Sequence, residues 1–230
     1  MKYFTVVVCI FATTLFGSAF GTGSQQEDND QNGDRQKGNV LENEKSVKDH
    51  KGKYIYYLSG YDYDNRAVIV MEWGRWDIRS IAEEGGDGPE KFEKAVGHFV
   101  EKIQKGFFNK KANESETEDS IVVIIDFDGL NLRQIATANS LKLFMRSLAQ
   151  LEGAFAQFAF GFIVNATPLV HQVIHASKPY MGKFLERMEI YGSNSRKWIP
   201  SILKKIPRSQ LHPAYGGKSD FRPVAVFTMF

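Results

Sequence analysis

The sequence predicts an α/β protein in which helices cover a mostly parallel sheet. Residues 121–125 are a continuous β-branched run, which is typical of a strand that is covered on both faces, as the strands of parallel sheets are. Segments with the apolar spacing of amphipathic helices lie before and after this run. Strands that are joined by helices of this length pair in parallel through crossover connections, so we expect an α/β fold.

The individual elements are predicted from periodicity and from residues that start or stop helices. Strands are expected at residues 54–59, 67–73, 121–125, 155–164 and 187–191. Helices are expected at residues 77–84, 89–107, 132–151 and 168–178, and from Ser193 or Asn194 towards Lys205. Asp77 can cap the first helix, and Pro89 occupies a favoured first helical position in the second. Pro179 is expected to end the fourth helix, because proline lacks the backbone N–H that a helix interior needs.

Three segments of different composition divide the chain. Residues 1–21 resemble a signal peptide, with Lys2 before an apolar run and small residues near Gly21, and the run is shorter than the ~20 residues that span a bilayer. Residues 22–53 are polar and are expected to be disordered, since they have almost no large apolar side chains to bury. Residues 54–230 form the folded domain. Cys9 is the only cysteine, so the secreted, mature chain would have none and would depend on its core for stability.

Composition and isolated motifs restrict the classes of function. A net charge of +2 argues against a nucleic-acid partner. Asn113 begins an Asn-Glu-Ser sequon in a polar loop, so it is a candidate glycosylation site. His171 and His175 are one helical turn apart, but no third metal ligand accompanies them, and we expect neither a metal nor another cofactor.

Four motifs carry a resemblance to a known family. They are Ile-Asp-Phe-Asp-Gly-Leu at residues 125–130, Phe-Ile-Val-Asn-Ala at 162–166 with Lys-Pro-Tyr at 178–180, Leu-His-Pro-Ala-Tyr-Gly-Gly at 211–217, and Tyr-Asp-Tyr-Asp at 61–64 followed by the strand ending in Glu-Trp-Gly at 72–74. In this order and spacing the chain resembles the CRAL-TRIO lipid-binding family, particularly its animal tocopherol-associated and squalene-transfer-like branch. The resemblance runs from about residue 54 to residue 230.

The resemblance implies a lipid carrier without catalytic residues, and the signal peptide expected at residues 1–21 predicts that this carrier is secreted. The sheet would form the floor of a hydrophobic cavity that a mobile gate helix, residues 168–182, closes and opens at a membrane surface. Alternation along the strand at 155–164 places Phe158, Phe160, Phe162 and Val164 on one face. The expected ligand-binding residues are Phe155, Phe158, Phe160, Phe162, Val164, Leu169, Val173, Ile174, Tyr180 and Met181.

One departure from the family bears on the identity of the ligand. Members that exchange phosphatidylinositol have a Pro-Glu-Arg motif where this chain has Phe155-Ala156-Gln157, and a lysine where it has Arg187. The acidic contact to the head group is therefore absent, and Arg187 is the one candidate for a head-group contact. We expect a neutral or weakly polar lipophile in preference to phosphatidylinositol.

Two other functions are compatible with the residues. Asp126 and Asp128 follow a buried strand, as the nucleophile and the acid/base do in haloacid-dehalogenase-like magnesium phosphatases. That chemistry needs further carboxylates, and the acidic residues downstream, Glu152, Glu186, Glu189 and Asp220, form no close pair at a strand end. The second alternative is an adhesive or scaffold module that has the same fold and transports nothing.

Overall fold

The computed structural model describes residues 54–83, 85–109 and 120–229. The signal peptide expected at residues 1–21, the polar leader at 22–53 and the sequon at Asn113 lie outside these ranges. The described elements belong to one compact unit, Lys45–Phe230.

A six-stranded mixed sheet organises this unit. Its strands are β1 (Ile55–Tyr61), β2 (Ala67–Met71), β3 (Ile121–Asp126), β4 (Phe158–Val164), β5 (Met188–Ile190) and β6 (Ala225–Thr228). They lie in the order β5-β4-β3-β2-β1-β6. Strands β2 to β5 are parallel, whereas β1 pairs antiparallel with both β2 and β6. Every residue of β3 is buried, which agrees with a strand covered on both faces. The predicted α/β class is confirmed.

Five α-helices cover the sheet in the part of the chain that the structure describes. They are α1 (Ile78–Glu83), α2 (Gly88–Gln104), α3 (Ala138–Glu152), α4 (Pro168–Glu186) and α5 (Ser195–Lys205). Two helix caps expected from the sequence are present. Asp77 Oδ1 accepts the N–H of Ser80 at 3.2 Å, and the side chain of Asn194 accepts the N–H of Arg196 at 3.1 Å. Within the described residues, none of these helices combines the length and apolarity needed to cross a bilayer.

The two faces of the sheet have different covers. Alternate side chains of β3 and β4 point to opposite faces, so Ile125 and Ile163 lie on one side and Ile124 and Phe162 on the other. Ile125 and Ile163 pack beneath α4, together with side chains from α3. Ile124 and Phe162 pack in a separate core with Trp198 and other residues of α5 and the following turns.

The prediction that Phe158 shares a face with Phe160, Phe162 and Val164 is wrong. The register between β3 and β4 shifts at the start of β4, so that Ile121 pairs with Phe158 and Val122 pairs with Phe160. This irregularity turns Phe158 towards α4, where its ring meets that of Phe184 at 4.8 Å. Residues 155–157, which were expected to be strand, form a 3-10 turn.

The predicted end of the fourth helix at residue 178 is also wrong. α4 continues to Glu186 with Pro179 inside it, and the backbone is non-helical at Met181, where φ is −144° and ψ is 36°. Two further differences are smaller. The helix expected at 132–151 is divided into a 3-10 turn at Leu132–Ile135 and α3, and α2 ends at Gln104, before Phe107.

Candidate functional site

The interface between α4 and the sheet is almost entirely apolar. α4 buries Val170, Ile174, Ser177, Met181 and Phe184. Opposite these side chains lie apolar residues of β3, β4 and α3, including Ile125, Phe127, Phe144, Leu148 and Ile163. The one hydroxyl on this side of α4, that of Ser177, donates a hydrogen bond to the carbonyl of Ile174 at 2.8 Å. The interface thus presents hydrocarbon with no unsatisfied hydroxyl from α4.

Little space remains in this interface. The cavity beneath α4 has a volume of about 20 Å³, and a second cavity of about 20 Å³ lies between the sheet, α2 and α3. Each has room for about one or two water molecules. A hydrocarbon ligand therefore fits only after α4 moves away from the sheet, and the structure shows the interface in a closed form.

α4 is interrupted near its carboxyl end. Pro179 has no N–H to donate, and its ring crowds the carbonyl one turn earlier, so the helical hydrogen bonds are broken there. Met181 absorbs the change in direction, and a Cβ on the neighbouring Gly182 would meet nothing within 4 Å. The segment after the break is tied to α3, because the carboxylate of Glu152 accepts the N–H groups of Lys183 at 3.2 Å and Phe184 at 3.0 Å. The break therefore separates residues 168–180 from an anchored final turn.

Four of the predicted ligand-binding residues lie in this interface. Phe158 contacts Phe184, and Val173, Ile174 and Met181 line the small cavity beneath α4. Leu169 and Tyr180 are half-buried on the same helix.

The other predicted residues are divided between two locations. Phe160, Phe162 and Val164 belong to the core on the opposite face, beneath α5. The half-buried ring of Phe155 lies in the turn before β4, with Lys183 Nζ at 4.9 Å and Arg187 Cζ at 5.6 Å from its centroid.

Sequence reasoning missed Ile125, Ile163, Phe184 and Glu152. The first two carry a signal in the sequence, since they occupy the alternate positions to Ile124 and Phe162 in two buried strands. Choosing between the two faces needs the register of β4, which the sequence does not reveal.

Arg187 is engaged within the fold. Its guanidinium donates a hydrogen bond to the carbonyl of Phe158, and it also lies beside the Phe155 ring. Ala156, at the position of the family's acidic head-group contact, is exposed. The guanidinium of Arg187 therefore binds groups at the turn that joins α3 to β4.

Asp126 forms a polar junction where β3 ends, because its carboxylate accepts three hydrogen bonds. Its Oδ1 accepts the N–H of Asp128 at 2.8 Å and the side-chain amide of Asn165 at 2.7 Å. Its Oδ2 accepts the hydroxyl proton of Tyr215 at 2.9 Å. Asn165 follows the neighbouring strand β4 and has a left-handed backbone, with φ at 57°. Asp126 therefore joins β3, β4 and the turn at Pro213–Tyr215.

This geometry does not favour the phosphatase hypothesis. Both oxygens of Asp126 accept hydrogen bonds from the protein, and such bonds stabilise the carboxylate and make it a weaker nucleophile. In the part of the chain that the structure describes, no three His, Cys, Asp or Glu side chains are grouped so that they could hold a metal ion. His171 and His175 lie on the exposed side of α4.

The family model described as the CRAL/TRIO domain matches residues 51–217. Among the solved structures that match is the crystal structure of Sfh5, with a TM-score of 0.42, 12% sequence identity, and coverage of 64% of this chain and 50% of that one. The chain therefore matches only half the length of that protein. A search of curated protein sequences gives no match.

The match to the family model covers most of the folded domain and includes strands β1 to β5, the interrupted helix and the polar junction described above, whereas β6 lies beyond it. Proteins with this domain generally bind and transfer lipophiles rather than catalyse reactions. The chain belongs to the CRAL-TRIO family.

Proposed function

We propose that this protein is a secreted carrier that encloses one lipophile between its sheet and α4. The observation that carries the proposal is an apolar interface closed by a helix that is interrupted at Pro179 and Met181. Residues 168–180 would swing outward about this break, and the ligand would take the place of the side-chain contacts beneath α4.

Energetics favour exchange at a membrane surface. Moving a hydrocarbon chain into water costs about 0.8 kcal/mol per methylene, which is about 12 kcal/mol for a typical acyl chain. Release into water is slow against such a cost. A bilayer avoids it, because hydrocarbon passes directly from the membrane to the exposed underside of α4. The proposed partners are therefore a lipophile and, transiently, a membrane.

The surroundings of Arg187 support a neutral or weakly polar ligand, such as a sterol precursor, a tocopherol-like molecule or a fatty acid. The guanidinium already binds the carbonyl of Phe158, and Ala156 offers no carboxylate to an inositol ring. Each hydroxyl buried without a partner costs about 1–3 kcal/mol. We expect transfer of phosphatidylinositol to be weaker than transfer of a neutral lipophile.

Secretion is proposed from the amino-terminal sequence alone. Cleavage after the apolar run would leave a mature protein that begins near Thr22 and lacks Cys9. The intact mass of protein collected from the medium of expressing cells tests this, and a mass that retains residues 1–21 would contradict it.

A charge placed under α4 tests the binding site. Val173→Asp puts a carboxylate at the half-buried, apolar side of α4, whereas Gln172→Asp puts the same charge on the exposed side of the same turn. An unpaired carboxylate that faces hydrocarbon costs several kcal/mol, so Val173→Asp should lower the rate of vesicle-to-vesicle transfer of a fluorescent sterol by at least about tenfold. Gln172→Asp should transfer at nearly the wild-type rate.

Circular dichroism and thermal unfolding establish that both variants are folded. A folded Val173→Asp variant that transfers the sterol as fast as the wild type would overturn the assignment of this interface. Equal loss in both variants would also overturn it, because the effect would then arise from charge on α4 and not from the apolar face.

A further inference from the structure

A sizeable cavity lies away from the α4 interface. It has a volume of about 430 Å³ and opens where the parallel strands β2, β3 and β4 end. Trp198, Tyr215 and Phe221, which belong to the core on the α5 face, form part of its wall. Its volume is within the range of about 300–1,000 Å³ that small-molecule sites occupy. In open α/β sheets, ligands commonly bind at the carboxyl ends of the strands.

The charged groups of this cavity are mostly acidic. Three carboxylates, those of Glu72, Asp126 and Asp128, face one guanidinium, that of Arg75. Arg75 Nη1 is 2.7 Å from Glu72 Oε2, but the arginine side chain is 68% exposed and extends into solvent. His212 is the remaining basic group of the wall. With histidine neutral, the four charged side chains sum to −2, so the cavity repels anions.

The electrostatic effect of these carboxylates reaches the neighbouring groups. Burial raises the pKa of Tyr57 and of Tyr215, and the negative charges of Glu72 and Asp126 raise both further. Burial also raises the pKa of Glu72, and the charge of Asp126 adds to this increase. A positive charge placed in the cavity would relieve this repulsion.

Aromatic rings make up much of the remaining wall. They belong to Tyr54, Tyr57, Trp76, Trp198, Tyr215 and Phe221. Ring faces attract cations, by about 0.5–1 kcal/mol at exposed sites and by about 2 kcal/mol or more where water is excluded. Carboxylates combined with aromatic walls suit an organic cation, whose alkyl groups contact the rings while its charge remains near an acid.

We propose that this cavity binds a small organic cation, such as an alkylammonium or quaternary ammonium compound. Glu72 is the principal charge partner, because three protein donors already bind the carboxylate of Asp126 and Asp128 is exposed to solvent. The cavity is on the α5 side of the sheet, so the proposal is independent of lipid binding beneath α4. It assigns the protein a second, polar ligand.

Choline and its uncharged carbon isostere, 3,3-dimethylbutan-1-ol, test the proposal directly. The two molecules have nearly the same shape, so a difference in affinity reports the positive charge. Titration of the full-length protein, followed by tryptophan fluorescence and calorimetry, should show that choline binds at least about tenfold more tightly than the isostere. Equal binding of the two molecules, or no binding of choline at millimolar concentration, would overturn the proposal.

Substitutions at the ion pair of Glu72 and Arg75 test whether choline binds in this cavity. Glu72→Gln should weaken choline binding about tenfold, whereas Arg75→Gln should strengthen it, because the competing guanidinium is removed. Glu93→Gln is the matched control: Glu93 pairs with Arg146 at 3.3 Å with similar exposure, and neither residue lines the cavity. Equal weakening by Glu72→Gln and Glu93→Gln would place the cation elsewhere and contradict the assignment.

Discussion

Phe158 and Phe162 lie on the same strand, but their rings pack on opposite faces of the sheet. Both are fully buried on β4, but the register shift at the start of that strand sends Phe158 towards α4, while Phe162 packs beneath α5. Truncation of either ring to alanine removes buried aromatic surface, which typically costs about 3–5 kcal/mol of unfolding free energy. Only Phe158 belongs to the proposed lipid site.

We therefore predict that Phe158→Ala and Phe162→Ala destabilise the protein similarly but affect lipid transfer differently. Urea unfolding measures the first property, and the vesicle transfer assay at a temperature where both variants are folded measures the second. Phe158→Ala should change the rate or the lipid preference of transfer, and Phe162→Ala should leave both near the wild-type values. A change confined to Phe162→Ala would place the ligand on the opposite face of the sheet.

The buried tyrosines predict sensitivity to alkaline pH. Burial raises the pKa of Tyr56 to about 12 from its ordinary value of 10.0. In the unfolded chain this hydroxyl ionises near pH 10, whereas in the folded protein it remains protonated, so stability is lost as the pH rises from 10 towards about 12. Burial also raises the pKa of Tyr57 and Tyr215, and these residues should contribute in the same direction.

Tyr56→Phe should therefore reduce the loss of unfolding free energy between about pH 9 and about pH 11 without abolishing it. Urea unfolding of both proteins across this range provides the measurement. Tyr63→Phe is a suitable control, because Tyr63 is 64% exposed. An identical decline in wild type and Tyr56→Phe would show that the hydroxyl of Tyr56 ionises as readily in the folded state as in the unfolded one.

Among the elements, the final turn of α4, which follows the break at Pro179 and Met181, is held by a tertiary contact with α3. The carboxylate of Glu152 accepts the N–H groups of Lys183 and Phe184, so it caps the final turn of α4 in the way that a side chain caps a helix start. Without this cap, the turn after the break would lose its attachment to α3.

We predict that Glu152→Gln loosens the end of α4 and accelerates lipid transfer. Removal of a cap typically costs about 0.5–2 kcal/mol, so the amides of Lys183 and Phe184 should exchange with deuterium up to about tenfold faster. Hydrogen exchange measured alongside vesicle transfer tests both effects. Glu186→Gln, at an exposed residue near the end of α4, is the control. Unchanged exchange in Glu152→Gln would mean that the break in α4 is not restrained by α3.

The elements differ in how far the sequence predicts them. β3 is readily predicted, because five consecutive β-branched residues favour a buried strand whatever the sheet order. The continuation of α4 past Pro179 cannot be predicted in this way, because it is stabilised by Glu152, which is distant in the sequence. β6 was missed because it has only four residues, none of them fully buried, and pairing with β1 defines it.

The sequence predicted only part of the candidate site, because local patterns do not show which side chains meet across the fold. Helical spacing identified Val173, Ile174 and Met181 correctly as the underside of α4. Period-two alternation alone placed Phe158 on the wrong face, since a register shift at the start of the strand reverses the direction of a single side chain. Local patterns therefore located the helix and the strand, and long-range pairing decided which side chains meet.

At the scale of the whole molecule, the sheet separates two sites of different chemistry. The α4 side presents closed hydrocarbon, whereas the α5 side has a polar cavity with excess negative charge. On the α4 side, we propose, the protein takes up one neutral lipophile from a membrane.

Such uptake is measured by native mass spectrometry of the purified protein after incubation with vesicles that contain tocopherol, a sterol, a fatty acid and phosphatidylinositol. We expect a one-to-one complex whose added mass is that of a lipophile without an inositol phosphate, and we expect that Val173→Asp lacks this complex. A protein that remains free of all four lipids, or that takes up only phosphatidylinositol, would contradict the proposal.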